Sequence, residues 1–325
     1  MRLLENYQRE GAFFGSASLQ SQNSPIGFAK LRAIGGQKMF EQLCHVDTLH
    51  LAWKKVRSNG GATGGDGETA REFSRNLEMR ILALSSALRK GRYRPGRLAT
   101  VKIRKPNGQP RLLRIPGLAD RVAQTSCHMV LSTKLDRRMS RDSFAYRPAR
   151  SVRDALNRLD KLAPRNAWVL DADIRAFFDR VPHGPLQDEL GIWISDPRIM
   201  HLIMLWLRSF GKGRSLAQGA PISPLLANMA LHPLDMAFSF RDIPFVRYAD
   251  DFVALGKSRK DVDRVRAVAQ KVLRRRGLEL NHEKTQIMKL SEGIHFLGQD
   301  CRWKTRPSWK SSARSEGGQP RKPLT

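Results

Sequence analysis

The sequence has few acidic residues for its length. Its 325 residues include 58 lysines and arginines but only 30 aspartates and glutamates, which gives a formal net charge of +28. Because solubility does not require so one-sided a balance, this composition indicates a polyanionic partner, most often nucleic acid. The alternative is a basic surface that serves only to keep the protein in solution.

Cysteines and long apolar runs are also scarce. The three cysteines, at positions 44, 127 and 301, lie far apart and show no CxxC spacing, which excludes a disulfide framework and a zinc knuckle. Unpaired cysteines are typical of a reducing compartment, so we expect a cytoplasmic location. The longest apolar run, residues 199–207, is too short to span a bilayer, and the N-terminus lacks the apolar stretch of a signal peptide. We therefore expect no membrane partner.

The first half of the chain predicts helices around one hairpin. Hydrophobic residues make up 41% of the sequence, which is enough for a buried core. Apolar residues recur at helical spacing over residues 49–56, and again from the capping residue Thr69 to Leu88. Residues 92–117 predict a β-hairpin whose turn is "PNGQ". Further helices are predicted over 118–140 and 151–162.

The second half alternates strands with helices. A buried strand at Trp168–Leu170 runs into a turn, and residues 245–256 predict a hairpin with two apolar arms. The segments 277–290 and 294–300 predict a closing strand–turn–strand unit. Helices are predicted within 215–235 and after the caps Asp196 and Ser258. This order indicates an α+β protein with an antiparallel central sheet.

Acidic residues, although few, occur together at two strand ends. Asp171 and Asp173 end the first strand, and Asp250 and Asp251 lie at the tip of the "FVRYADDFVALG" hairpin. If the strand and the hairpin are neighbours in one sheet, Asp173 faces the hairpin tip. Ionised carboxylates held together need divalent cations, and oxygen ligands favour Mg²⁺ or, alternatively, Mn²⁺. An isolated Asp pair in a solvated turn is the structural alternative.

These features together point to nucleotidyl transfer. Two such ions stabilise the attacking and leaving oxygens of an in-line phosphoryl displacement. The excess of lysine and arginine would hold a nucleic-acid backbone. The sequence therefore predicts an enzyme that acts on nucleic acid.

Seven motifs, in a single order, resemble those of one enzyme family. "YADD" (248–251) resembles the catalytic motif of reverse transcriptases, and "DIRAFFD" (173–179) resembles their first aspartate motif. "QGAPISPLLANMALHPLD" (218–235) is similar to the form found in group II intron reverse transcriptases and their CRISPR-associated relatives. The other four matches are "AWKKVRSNGGATGGDGET", "IRKPNGQPRLLRIPGLADRVAQ", "AYRPARSVRDAL", and the pair "LNHEKTQI" and "HFLG".

The resemblance implies a right-hand polymerase with fingers and palm. The expected parts are a poorly defined segment at 1–47, an N-terminal extension and fingers at 48–165, a palm with an antiparallel sheet at 166–302, and a disordered basic tail at 303–325. Only 27 residues follow Gly298, so the thumb is expected to be absent or truncated. Loss of the thumb would weaken binding of the primer–template duplex, which affects processivity, and would also affect intron splicing.

The resemblance also implies roles for individual residues. Asp173, Asp250 and Asp251 correspond to the metal-binding catalytic carboxylates, and Lys284 to a catalytic lysine that protonates pyrophosphate. The residues that correspond to the nucleotide site are Lys105, Arg111, Phe178, Gln218 and Gly219. The residues that correspond to the primer grip are Phe296, Leu297 and Gly298. Ordinary structural roles are the alternatives for Phe178, Lys105, Arg111 and Lys284. No catalytic role is expected for His183, Asp171 and Asp179, which are expected to be structural or to contact the site residues rather than the substrate.

The implied function is that of an RNA-directed DNA polymerase, which adds dNTPs to the 3′-OH of a DNA or RNA primer on an RNA template. Possible further partners are an intron RNA or a CRISPR adaptation protein, and a role in phage defence stays open. The alternatives are a non-catalytic or truncated RNA-binding protein of a retroelement, an RNA-templated RNA polymerase, and a template-free nucleotidyl transferase.

Overall fold

A computed structural model of the chain describes residues 39–59, 63–104, 108 and 110–303. Its helices are α1 Met39–Cys44, α2 Val46–Ser58, α3 Ala70–Arg75, α4 Leu77–Arg89, α5 Leu118–Leu135, α6 Val152–Leu162, α7 Phe177–Arg180, α8 His183–Trp193, α9 Pro197–Phe210, α10 Ser223–Ser239 and α11 Arg259–Arg275. Its strands are β1 Ala99–Arg104, β2 Pro110–Ile115, β3 Trp168–Ala172, β4 Phe245–Tyr248, β5 Asp251–Gly256, β6 Gln286–Lys289, β7 Ile294–Phe296 and β8 Gln299–Cys301. None of the described helices is long and apolar enough to cross a membrane.

The N-terminal helices begin earlier than the sequence indicated. Helix α1 and the first two residues of α2 lie within the segment 1–47 that was expected to be poorly defined. Phe40, Leu43 and Cys44 of α1 are buried, and α1 packs against α5. That expectation was wrong for residues 39–47, because a helix of only six residues shows too little periodicity to be recognised. Of the tail predicted at 303–325, residues 304–325 lie outside the described residues.

The helix predicted from Thr69 to Leu88 is two helices. Thr69 forms a capping box with Glu72, in which each side chain accepts from the other residue's backbone N–H. The chain then leaves helical geometry at Asn76, with φ −124° and ψ 38°. The apolar spacing continues across this break, so periodicity alone could not show it.

The antiparallel hairpin of β1 and β2 confirms the strand prediction for residues 92–117. Ala99 pairs with Ile115 and Arg104 pairs with Pro110. Residues 105–107 and 109, which include the predicted Lys105, lie outside the described residues. At the base of the hairpin, the Arg114 backbone N–H donates to the Gln218 carbonyl at 2.7 Å, which ties this hairpin to the loop before α10.

A four-stranded antiparallel sheet, in the order β4-β5-β3-β6, forms the centre of the molecule. Successive side chains in a strand point to opposite faces. Leu170 and Phe252 pack with α10 and α11 on one face, and Val169 and Val253 pack with α6 and the β7–β8 hairpin on the other. The predicted α+β fold with an antiparallel sheet is confirmed.

The closing strands differ from the prediction. Strand β6 pairs with β3 in the central sheet, whereas β7 pairs with β8 in a separate hairpin. The predicted strand–turn–strand unit was wrong in its pairing, because the partners of a strand depend on tertiary contacts that its own sequence does not contain.

Candidate active site

Acidic side chains from two neighbouring strands lie at one end of the central sheet. In the β3–β5 register, Asp171 pairs with Val253 and Ala172 pairs with Phe252. Because side chains alternate, Asp171 and Asp251 project from the face that carries Val253. Asp173 follows the end of β3. The sequence predicted that Asp173 faces the hairpin tip if β3 and the β4–β5 hairpin are neighbours. They are neighbours, because β3 pairs with β5.

A two-residue turn presents Asp250 between β4 and β5. Tyr248 pairs with Asp251, which leaves Ala249 and Asp250 as the turn. Ala249 has a φ of +59°, a conformation that favours glycine at the first turn position. An alanine here carries backbone strain, so the surrounding structure must hold the turn in place.

Arg247 supplies that support. It is 1% exposed, and it pairs with Asp235 of α10 through Nε–Oδ1 at 2.6 Å and Nη2–Oδ2 at 2.5 Å. Its Nη1 donates to Asn228 Oδ1 at 3.1 Å and to the carbonyl of Ala249 at 2.8 Å. Sequence reasoning missed this residue, because an arginine inside an apolar strand gives no sign of a buried partner on a distant helix.

The carboxylates influence one another electrostatically. Burial raises the pKa of Asp250 to about 6, and the Asp173 charge adds to this shift. Although Asp251 is exposed as a whole residue, loss of water around its carboxyl group raises its pKa to about 7, together with the charges of Asp250 and Asp173. Burial, again with the Asp173 charge, raises the pKa of Asp171 to about 6. Negative charge is therefore under-compensated here, and such a site favours a cation.

Asp173 is held from the opposite side by residues of the segment before β6. Lys284 Nζ lies 3.0 Å from Asp173 Oδ2, and Asn281 Nδ2 donates to the same oxygen at 3.1 Å. The hydrogen bond to Asp173 raises the pKa of Lys284, so its ammonium group stays protonated at neutral pH. The structure thus brings the predicted Lys284 directly to the carboxylates.

The β1–β2 hairpin approaches the same site. The positive charge of Arg111 in β2 lowers the pKa of Asp250 and partly opposes the effect of burial. Arg114 links the hairpin to the loop before α10, because its Nη2 donates to Ser215 Oγ at 2.9 Å and contacts Asp179 Oδ1 at 3.4 Å. Its Nη1 donates to the Phe210 carbonyl. Sequence reasoning did not identify Arg114.

The other predicted nucleotide residues lie around this loop. Gln218 Oε1 is buried without a hydrogen-bond partner among the described residues. Gly219 has a φ of +112°, and a Cβ there would meet the Arg114 carbonyl at 3.2 Å, so a side chain would be strained. Phe178 is half-buried beside the fully buried Phe177, with ring centroids 5.8 Å apart. The Phe178 ring is therefore partly available at the surface.

The residues predicted as a primer grip form a tight turn. Phe296 pairs with Gln299, and the turn residues Leu297 and Gly298 have φ values of +52° and +78°. Two positive φ values identify a type I′ turn. Phe296 is buried against the sheet face that carries the acids, which fixes the turn relative to them. His183 is structural here, since its Nε2 lies 2.8 Å from the Ser215 carbonyl.

A divalent cation fits the chemistry of the donors but has no preformed cage. Asp173, Asp250 and Asp251 offer only oxygen atoms, which suit Mg²⁺ or Mn²⁺. Within the described ranges, no three His, Cys, Asp or Glu side chains already stand at metal-binding spacing. The Lys284 and Asn281 contacts take up one oxygen of Asp173. The raised pKa values of Asp250 and Asp251 are consistent with carboxylates that a cation would stabilise.

Sequence comparison identifies the family. A family profile described as reverse transcriptase (RNA-dependent DNA polymerase) matches residues 103–301, which is more than half of the chain. The chain belongs to the reverse transcriptase family. Protein YkfC of Escherichia coli K12 is 29% identical to this reverse transcriptase, with 81% of this chain and 82% of that protein covered.

Further relatives include one that supports the group II intron type. The group II intron-encoded protein LtrA of Lactococcus lactis is 25% identical, with 85% of this chain but 58% of LtrA covered. The retron Mx65 reverse transcriptase of Myxococcus xanthus is 26% identical over 62% of this chain and 51% of that protein. This chain thus spans a little over half the length of these two relatives. Its fold is shared with the apo telomerase of Candida tropicalis truncated from its C-terminal domain, with a TM-score of 0.50 and 17% identity over 63% of this chain and 52% of that one.

Proposed function

We propose that this reverse transcriptase extends the 3′-OH of a DNA or RNA primer with dNTPs, copying an RNA template. The observation that carries the proposal is the arrangement of Asp173, Asp250 and Asp251 at one end of the palm sheet. The proposal is supported by their mutual effects on pKa, since each of Asp250 and Asp251 has its pKa raised by burial and by neighbouring carboxylates. A merely solvated Asp pair in a turn would not have its pKa raised by burial and by a third carboxylate.

Asp173, Asp250 and Asp251 would hold Mg²⁺ or Mn²⁺, which when bound stabilises the attacking and leaving oxygens of phosphoryl transfer. Arg247 fixes the turn that carries two of these acids, through its bond to the Ala249 carbonyl. Preorganisation of this kind avoids reorganisation of the site during reaction.

The remaining residues would bind and orient the nucleotide. Lys284, whose ammonium lies 3.0 Å from Asp173, would donate a proton to departing pyrophosphate. Arg111, together with Lys105, would neutralise triphosphate charge. Gly219 would allow close approach of backbone to the nucleotide, with Gln218 beside it, and the exposed part of Phe178 would contact the sugar at its 2′ position.

Phe296, Leu297 and Gly298 would position the primer end. The positive φ values of Leu297 and Gly298 make a narrow turn, and burial of Phe296 anchors it. The expected RNA partner is an intron-type RNA, because LtrA is a group II intron-encoded protein. A CRISPR adaptation protein or a phage-defence role finds no comparable support. The three free cysteines support a cytoplasmic location.

Primer extension tests the proposal. The full chain should extend an annealed DNA primer on an RNA template with dNTPs and Mg²⁺. Asp250→Asn should lower the rate by at least about 100-fold, on the scale of losing one electrostatic contact to the transition state. Asp242→Asn is the matched control, since Asp242 is exposed in the loop before β4. A folded wild-type protein without extension, or extension unaffected by Asp250→Asn, would contradict the proposal.

The same assay separates the alternatives. Preference for NTPs would indicate an RNA polymerase, and extension without a template would indicate a terminal transferase. RNA binding without any extension would indicate a non-catalytic RNA-binding protein. If Phe178 contacts the 2′ position, Phe178→Ala should narrow the ratio of dNTP to NTP incorporation, measured by competing the two nucleotides at one template position.

A further inference from the structure

Helix α11 carries a basic stripe on the side of the palm opposite the acids. Val262, Val265, Ala269 and Leu273 of α11 pack on the sheet face of Leu170. The acidic side chains project from the other face, where Val253 lies. The outer surface of α11 therefore points away from the proposed polymerase site, and its charge is not explained by that site.

Exposed cations follow one line along α11. Their spacing places them within about 100° of one another around the helix, and from the first to the last they span roughly 22 Å. The members of this basic stripe are Lys260, Arg264, Lys271, Arg274 and Arg275, all exposed. The two acids of the helix, Asp261 and Asp263, lie in its first two turns, so the helix from Arg264 onward contains no acid.

The stripe is not needed for helix stability. Lys260 and Arg264, like Lys271 and Arg275, are like charges four residues apart, which weakens a helix. Lys260 also lies in the first turn, where the helix dipole disfavours a cation. The dipole does favour Arg274 and Arg275 in the last turn, but it does not account for the first part of the stripe.

Most of the stripe is also not paired with acids. Arg264 lies 3.6 Å from Asp261, and the off-stripe Arg266 lies 3.1 Å from Asp263. In the described part of the chain, no ion pair joins an acid to Lys260, Lys271, Arg274 or Arg275. Their charges are available to an external anion.

We propose that the basic stripe of α11 is a second RNA-binding surface, which holds the phosphate backbone of a double-helical segment. The inference rests on the proposed function, because an enzyme that copies RNA handles a template that continues beyond the polymerase site. Single-strand binding relies on aromatic side chains that stack on bases, and α11 contains no aromatic residue. A straight row of lysines and arginines suits the phosphates of a duplex, which proteins recognise by shape and backbone.

The test compares two triple variants of the full chain. One is Lys271→Gln/Arg274→Gln/Arg275→Gln, in which glutamine keeps helix propensity. The matched control is Lys134→Gln/Arg137→Gln/Arg208→Gln, which removes the same residue types from exposed positions outside α11. Circular dichroism melting checks that both variants fold. The probe is a fluorescent RNA hairpin with a stem of about 20 base pairs, longer than the roughly 16 that a double-stranded RNA-binding domain spans.

Affinity is measured by anisotropy over a series of KCl concentrations, without primer or dNTPs. The α11 variant should bind about tenfold more weakly or worse near physiological salt, and its slope of log Kd against log salt should fall by about 2 to 3. The control should change little. Equal losses in both variants, or unchanged binding by the α11 variant, would overturn the proposal.

Two further arms separate this proposal from others. A DNA hairpin of the same sequence should be affected less, and an equal effect would overturn the assignment to RNA. Extension of a short primer–template should stay within about twofold of wild type in both variants. If the wild type fails to extend any primer while the α11 variant binds RNA more weakly than the wild type, the proposed polymerase function is contradicted but the RNA-binding surface is supported.

Discussion

At the scale of single residues, the half-buried Asp250 lies near the negative charge of a second carboxylate. Burial and the Asp173 carboxylate raise its pKa to about 6, above the ordinary value of about 4. The folded protein therefore binds a proton more readily than the unfolded chain between these two pH values. As a result, this residue's contribution makes the metal-free fold less stable as pH rises from about 4 to about 6, and it stays destabilising above that range.

Asp250→Asn should therefore raise the melting temperature of the metal-free protein at pH 8, where the wild-type carboxylate is charged. The gain should vanish near pH 4, where the wild-type carboxyl is protonated. Mg²⁺ should raise the melting temperature of the wild type more than that of the variant, because the ion binds the folded carboxylates. Thermal scans across pH, with Asp242→Asn as the control, check this. A variant less stable than wild type at pH 8 would show that Asp250 is not under electrostatic strain.

Lys284 gives a second prediction. If it donates a proton to pyrophosphate, Lys284→Gln should lower kcat by about 100-fold or more, with a smaller effect on the Kd for dNTP. Lys284→Arg keeps a positive charge beside Asp173 but loses its proton far less readily, so it should also stay slow. Single-turnover kinetics measure both variants. Recovery of kcat in the arginine variant would instead assign Lys284 a structural role as the counter-charge of Asp173.

The candidate catalytic carboxylates could be recognised from the sequence, but the residues that support them could not. Asp173, Asp250 and Asp251 could be recognised because they lie next to apolar strand residues. A carboxylate in such surroundings is costly to desolvate, which indicates a function. Arg247 also interrupts an apolar strand, yet among 58 cationic residues one arginine is not unusual. The role of Arg247 depends on Asp235. Asp235 lies on helix α10, so the sequence of the strand does not show that the two residues pair.

At the scale of elements, Arg247 and Asp235 join α10 to the β4–β5 turn. Both side chains are nearly inaccessible, at 1% and 2% exposure. Removal of one member of a buried ion pair leaves the other charged and unpaired, which costs about 3–5 kcal/mol. The pair is therefore expected to matter twice, once for stability and once for the position of Asp250 and Asp251.

Arg247→Met should destabilise the fold by about 3–5 kcal/mol in urea unfolding. The double variant Arg247→Met/Asp235→Leu removes both charges and should recover much of that loss, because an apolar pair of similar volume is tolerated at such sites. Extension activity should stay low in the double variant, since the Ala249 carbonyl still lacks its donor. Full activity in a refolded double variant would show that the ion pair serves stability alone.

Element type was easier to predict than element pairing. The caps Thr69, Asp196 and Ser258 all begin helices as expected, because each side chain accepts from a backbone N–H two or three residues ahead. These are local interactions and leave a local signature. The pairing of β6 with β3 joins segments more than a hundred residues apart, and no short pattern encodes that choice.

At the scale of the whole molecule, the two faces of the palm sheet carry different charge. One face ends in the acids of the candidate active site, and the other is covered by the basic helix α11. The +28 net charge provides long-range attraction for nucleic acid, and the few acids determine where that attraction is locally reversed. A phosphate-rich ligand is therefore drawn to the protein as a whole, while under the proposed function divalent ions would offset the repulsion between its phosphates and Asp173, Asp250 and Asp251.

This charge distribution predicts a strong dependence of primer–template affinity on salt. Each phosphate contact contributes roughly −0.7 to −0.9 to the slope of log K against log salt, so a protein that makes at least six such contacts should give a slope of about −4 or steeper. In buffer without divalent ions, Asp250→Asn should bind primer–template more tightly than wild type with a similar slope, because the variant removes a repulsive charge and no phosphate contact. Anisotropy titrations at several KCl concentrations measure both quantities. A slope shallower than about −2 would mean that shape and base contacts, rather than the net charge, hold the nucleic acid.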